Sequence, residues 1–306
     1  MAQGLSSPDC KPGKCCSESW YLIKPEAGEK IDSWDGILKF YANSEQGPWR
    51  KRWIFRGHND VSWCLETTLE RAVRRQLKTS LKEEAERWEH KLTRQFQRIA
   101  PMHLTQPPGE QNWIEWLALL RHYGGPSRLL DWTYSFFIAL FQALEKVEDG
   151  NDCAIWALDV DWWKKEVMDR IPELKAVRGK NDPHSTEEFE LIRKMKGKLG
   201  IWPVNAFRLN ERLHAQQGVF MMPLDVSCSF MENLKGVWKD AAKLQEGREH
   251  TWKIVIPSKI RKECLIELQR MNIQNQTLFR GLEGLARDLE NQMLMDELFK
   301  DIEPKA

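Results

Sequence analysis

Three short stretches gather residue types able to hold or act on a small polar ligand. The first is Trp53-Ile54-Phe55-Arg56-Gly57-His58. An arginine on a strand, followed at once by glycine, sets a planar guanidinium at a sheet edge where bare backbone lets a ligand approach. The second runs from Arg121-His122-Tyr123 through the turn Gly124-Gly125-Pro126 to Arg128, Asp131, Thr133 and Ser135. It sets a charged pair and two hydroxyls just ahead of an apolar helix. The third holds Asn205, Arg208 and Asn210-Glu211-Arg212, then Gln216-Gln217-Gly218 leading into Val219-Phe220. Each stretch also has a purely architectural reading. Arg56 and Arg128 with Asp131 can form a buried ion-pair network that only organises the fold. Thr133 suits the N-cap of the following helix. Gln216, Gln217 and Gly218 fit a bulged strand start, and a lone histidine beside a turn, such as His58 or His122, suits a hydrogen-bonded structural role.

Familiar catalytic signatures are missing. The chain has no GxxxxGK[ST] loop, GxGxxG fingerprint, GxSxG elbow or HExxH pair, and its seven histidines show no metal-ligand spacing. No metal site is expected. Cys10, Cys15 and Cys16 cluster near the start without a CxxC pair, while Cys64, Cys153, Cys228 and Cys264 are scattered singly. That pattern reads as reduced thiols rather than a disulfide frame.

These stretches need a scaffold, and the composition provides one. The 306 residues are 42% hydrophobic and 30% charged, enough for a sizeable core. A net charge of +1 gives no bulk attraction to nucleic acid, so such a partner is not expected. No apolar run is long enough to span a bilayer, and the opening residues lack a signal-peptide pattern, so membrane association is not expected and the expected location is cytoplasmic. The fifteen tryptophans read as core and helix-seam material before they read as a stacking surface.

Residues 1–18 have no apolar period and read as a flexible tail. The remainder, 19–306, reads as one domain. Helices are expected at 32–41, 65–77, 81–99, 113–120, 136–144, 265–271 and 284–299. Strands are expected at 49–57, 153–158, 218–222 and 252–256. Residues 169–199, with Pro172, Pro183 and mixed charge, read as an exposed excursion carrying one helix. Phe279-Arg280-Gly281 echoes the first stretch, but three residues do not make a repeat. Helices and short strands alternate without a βαβ rhythm, so the expected fold class is α+β, with a small mixed or antiparallel sheet surrounded by helices.

The three stretches resemble the blocks of the FRG domain family: Phe55-Arg56-Gly57, the run His122 to Thr133, and Gln216-Gln217-Gly218-Val219-Phe220, in the family's order across roughly residues 31–290. A weaker similarity links the same order to the ADP-ribosyltransferases, and a fold of that kind is what it implies. This resemblance implies a pocket for a nucleotide, with NAD as a possible substrate rather than a resident cofactor. It assigns binding to Arg56, Gly57, Arg128, Thr133, Ser135, Gln216 and Gln217. Glutamines stand where the resemblance expects a glutamate, so Glu211, Asp131 and His122 are the candidates for catalysis. The implied activity is a transferase or NAD-cleaving effector, in a toxin or phage-defence setting. The alternative is a catalytically silent module that binds a ligand or a protein partner.

Overall fold

The computed structural model describes residues 22–23, 31–46, 52–147, 150–178, 186–204, 211–237, 249–279 and 281–299. The expected tail at 1–18 lies outside them, as do Cys10, Cys15, Cys16, Asn205, Arg208 and Asn210.

Seven strands form one sheet: β1 (Leu22–Ile23), β2 (Trp53–His58), β3 (Leu130–Thr133), β4 (Cys153–Asp159), β5 (Ile201–Val204), β6 (Gly218–Pro223) and β7 (Thr251–Ile256). Their spatial order is β1-β7-β4-β2-β3-β6-β5. All neighbours are antiparallel except the short β1, which runs parallel to β7. The class is α+β, as the interspersed elements require.

Strand alternation decides which residues face which layer. On one face Trp53 and Phe55 of β2 join Ile155, Ala157, Ile254 and Ile256. They meet α5 (Phe136–Leu144), whose nearly all-apolar sequence buries seven of its nine residues. Helices α1 (Trp34–Gln46) and α11 (Arg261–Arg270) complete that layer through Ile37, Phe40, Leu265 and Leu268. On the other face Ile54, Trp132, Trp156, Leu158, Val219 and Met221 pack with α6 (Val160–Arg170) and α10 (Phe230–Lys235). Strand β4, flanked by β2 and β7, is buried along its whole length.

Around the β5–β6 end, α4 (Trp113–His122), α7 (Pro172–Arg178) and α8 (Thr186–Arg193) pack over Trp202, Phe220 and Met222. Helices α2 (Thr68–Ala72) and α3 (Leu81–Ile99) share a smaller core of Leu69, Val73, Leu81 and Ala85. The chain closes with α9 (Glu211–Ala215) before β6, then α12 (Asn275–Leu278) and α13 (Leu282–Phe299).

Several expectations change. The excursion at 169–199 carries two helices rather than one, and Ile171, Leu174, Ile192 and Met195 bury it against the core. Its Gly179–Pro183 stretch lies outside the described residues. Strand β2 sits mid-sheet between β4 and β3, so Arg56 is not on an edge. The α5 N-cap is Ser135, whose Oγ accepts from the Ile138 amide at 3.3 Å, while Thr133 ends β3. Tryptophan does serve the core: Trp116, Trp156, Trp163 and Trp202 are among the largest fully buried side chains. Cys64, Cys153, Cys228 and Cys264 are free thiols, and burial pushes Cys153 and Cys264 up to about 12. No helix among the described residues is long and apolar enough to cross a membrane.

Candidate functional site

A cavity of about 720 Å³ opens where the end of α4, strands β3 and β6, helix α9 and the α12–α13 segment converge. That size is in the range of small-molecule pockets. Helix α4 delivers Arg121 and His122 at its C-terminus, and Gly124 stops it in a left-handed conformation (φ 79°) that favours glycine. Asp131 and Phe220 are register partners on β3 and β6, so both reach the same wall. Glu211 and Arg212 come from the first residues of α9, and Gln216 from the turn that follows it. Phe279, Glu283 and Arg287 close the other side.

Charge is the character of the site. Arg121, Arg212 and Arg287 face Asp131, Glu211 and Glu283 across it. Arg121 Nε donates to Asp131 Oδ2 at 2.7 Å, and its Nη2 contacts the same oxygen. Arg287 Nη2 donates to Glu283 Oε1 at 2.6 Å. Arg212 differs. Its guanidinium makes no ion pair or hydrogen bond among the described residues and lies over the Phe279 ring at 4.5 Å, while burial lowers its pKa against the nearby Asp131 and Glu283 charges. Arg287 lies over the same ring at 4.4 Å. Partial burial, with Arg212 next in effect, holds His122 below the usual imidazole range, while Asp131 and Glu283 oppose the shift. At neutral pH its ring is a neutral donor and acceptor.

Arg56 stands behind this wall. Its Nη1 donates to the Asp131 carbonyl at 2.6 Å, and its Nε to His58 Nε2 at 3.2 Å. Nε2 of His58 is therefore unprotonated. Burial, with the Arg56 and Lys253 charges adding to it, holds that ring well below its ordinary range. Burial also lowers Arg56 to about 10; Asp131 opposes the fall, and Arg121 and Arg71 add to it. Arg56 and Arg121 thus both act on Asp131, Arg121 from the cavity and Arg56 from behind its wall, with the Arg71 charge near both arginines.

Of the residues expected to form one site, His122, Asp131, Glu211 and Gln216 line the cavity. The others have different duties. Gly57 is pressed on α5: a Cβ there would lie 2.2 Å from the Ala139 carbonyl oxygen, so its bareness admits a helix rather than a ligand. Arg128 is buried on Glu89 of α3, with Nε donating to Oε1 at 2.6 Å and Nη2 to Oε2, and not on Asp131. Thr133 Oγ1 donates to the Gln216 carbonyl at 2.7 Å and accepts from the Ser135 amide. Gln217 takes a positive φ of 46° in a turn, not a bulge, and its carbonyl accepts from Tyr134. Gln216 lends its side-chain amide to the Leu278 carbonyl at 3.3 Å.

Arg212 stood in the third stretch without an assigned role, and Phe279, Glu283 and Arg287 were not singled out as site residues by sequence reasoning. The signal for Phe279 was the echo of Phe-Arg-Gly, which does bring an aromatic ring to the cavity; Arg280 lies outside the described residues. Among the described residues no group of three or more His, Cys, Asp or Glu side chains could hold a metal ion.

An α+β sheet with an arginine-lined cavity beside strands β3 and β6 is the class that fold and site define. Residues 51–152 match the family model of the FRG domain, and the chain carries an FRG domain. The match covers the Phe-Arg-Gly strand and the block from His122 to Thr133, whereas Gln216 to Phe220 lie beyond it. No curated protein and no solved structure matches the chain.

Proposed function

We propose that the cavity binds a nucleotide, with NAD as the substrate candidate, and that the protein acts as an ADP-ribosyltransferase-like or NAD-cleaving enzyme. The observation that carries this reading is Arg212, a guanidinium without an anionic hydrogen-bond partner among the described residues, facing the cavity beside Arg121. A guanidinium fork matches two phosphate oxygens at once. Glu211 and Glu283 offer acceptors to ribose hydroxyls, and an exposed carboxylate at Glu211 can steady positive charge on the sugar. In the hydrolytic version, the glycosidic C–N bond breaks and its electron pair leaves with neutral nicotinamide. Water adds to the sugar carbon, and its proton passes to His122 or to solvent. Such turnover inside a cell would suit a toxin or phage-defence effector.

One observation favours the silent binding module. Two of the three cavity carboxylates, Asp131 and Glu283, are ion-paired with Arg121 and Arg287, and Gln216 adds no negative charge where the resemblance expects a glutamate. Calorimetry with NAD and ADP-ribose, alongside a nicotinamide-release assay, separates the readings. Arg212→Ala is expected to weaken binding roughly ten- to a hundredfold, the value of a charged hydrogen bond, with Arg212→Lys recovering only part. Glu211→Gln is expected to keep binding and stop release. Binding without release in the wild type would leave the silent module standing, and no binding of either nucleotide would end the enzyme reading and leave a module for another ligand or a protein partner.

A further inference from the structure

Three of the cavity-lining residues carry a benzene ring, and two of those rings are taken. Phe220 is 3% exposed and Phe279 7%, and the Phe279 ring already carries the Arg212 and Arg287 guanidinium groups. The third, Tyr123, is 65% exposed. A lone exposed aromatic on an open surface needs no explanation. This one stands at the mouth of a cavity whose lining is otherwise mostly charged or polar.

The Tyr123 backbone is fixed. It caps the C-terminus of α4, where its amide donates to the Leu119 carbonyl at 3.2 Å. The amides of Gly124 and Gly125 then donate to the Arg121 and Leu120 carbonyls at 3.0 and 2.9 Å, so the turn cannot drift from the helix end. The Tyr123 ring meets the His122 ring edge to face, with centroids 4.8 Å apart and planes at 79°. Such a contact covers at most one face of the tyrosine and leaves the other open. The Tyr123 hydroxyl makes no hydrogen bond among the described residues, so its flat carbon surface is what it offers. His122 joins this ring to the phosphate contact, because it touches Tyr123 while the Arg212 charge helps to keep it neutral.

We propose that Tyr123 is the platform on which the adenine base of the nucleotide stacks, with the phosphates directed inward to Arg212. The assignment rests on the nucleotide reading of the cavity and adds to it the place of the base. Stacking on a positioned aromatic ring buries the apolar face of a base and asks for no hydrogen-bond donor. Exposure decides between the two rings of a dinucleotide. The nicotinamide, whose glycosidic bond breaks, needs a carboxylate acting where water is excluded. Adenine passes through the reaction unchanged and can lie at an open rim. Tyr123 is at the rim.

The test is calorimetry of the full-length chain with ADP-ribose, nicotinamide mononucleotide and inorganic pyrophosphate. The first has adenine without nicotinamide, the second nicotinamide without adenine, and the third has neither. Tyr123→Ala is expected to weaken ADP-ribose binding roughly tenfold, as for one base stacked on one aromatic ring, and to leave the other two ligands unchanged. Tyr123→Phe should restore the wild-type affinity, because the hydroxyl is unused. An etheno-adenine analogue of ADP-ribose adds a readout that a merely structural role would not move: stacking should quench its fluorescence on wild type and Tyr123→Phe, and less at saturation on Tyr123→Ala. Equal ADP-ribose affinity in Tyr123→Ala and wild type overturns the platform while the nucleotide reading stands. A loss confined to nicotinamide mononucleotide overturns it by placing the other ring there. An equal loss for all three ligands overturns it by showing that Tyr123 only shapes the cavity. A wild type that binds none of them ends the nucleotide reading, and the platform with it.

Discussion

At the scale of single residues, Arg56, Arg128, Thr133, Ser135 and Gln217 brace the fold rather than line the cavity. Arg128 is the clearest case: at 2% exposure it meets Glu89, itself nearly buried, through two guanidinium nitrogens. A buried pair is weak evidence of net stabilisation, but removing one member strands the other. Arg128→Ala is therefore expected to cost about 3–5 kcal/mol in urea unfolding, and Arg128→Met with Glu89→Leu much less than the sum of the two single changes. Nucleotide binding by whatever Arg128→Met remains folded should match wild type, since Arg128 does not line the cavity. Sequence types told that arginines and carboxylates would meet, but not which. Arg128 finds Glu89 from a helix some forty residues earlier, and Asp131 finds Arg121 and Arg56. Neither choice is encoded in local spacing.

Among elements, what was legible was whatever repeats locally. The all-apolar run of α5, the long amphipathic α3 and the β-branched β7 follow from periodicity alone. Strand β5 was not legible, because Ile201-Trp202-Pro203-Val204 contains a proline; it survives by standing at the sheet edge, where a missing amide need not donate. Helix α6, with adjacent Trp162 and Trp163, also escaped, being capped by Asp159 directly at the end of β4. The same boundary logic yields an expectation for β2 and α5. Ser135→Ala removes one cap bond and should cost about 1 kcal/mol. Gly57→Ala drives a methyl into the α5 backbone at Ala139 and Ala143 and should cost several times that. Chemical denaturation of both variants measures the ranking, and equal losses would mean α5 can shift away from β2.

For the whole molecule, pH reports how buried charge is distributed. Burial raises Glu70 from its ordinary 4.5 to about 7, against the pull of Arg74 and the Phe230 amide. The folded state thus keeps a proton that the unfolded chain releases near 4.5. The stabilisation is complete below that pH and is lost as pH rises through about 7. His58 has the opposite sign: its depressed pKa lowers stability as pH falls below 6.5. Because Glu70→Gln removes only the first effect, wild type should lose up to roughly 3 kcal/mol relative to that variant between about pH 5 and about pH 8. A flat difference across that range would mean Glu70 is already ionised in the fold. The sheet order carries a consequence for synthesis. Strand β2 is laid down early, yet its main neighbour β4 follows about a hundred residues later, and β7 as far again. At ribosomal speed the wait for β4 lasts roughly 5 to 20 s. Until β3 emerges Ile54 and Phe55 have no ladder to join, and until β4 follows the other edge of β2 stays open, so the nascent chain has sticky, half-made sheet to shield before its centre can close.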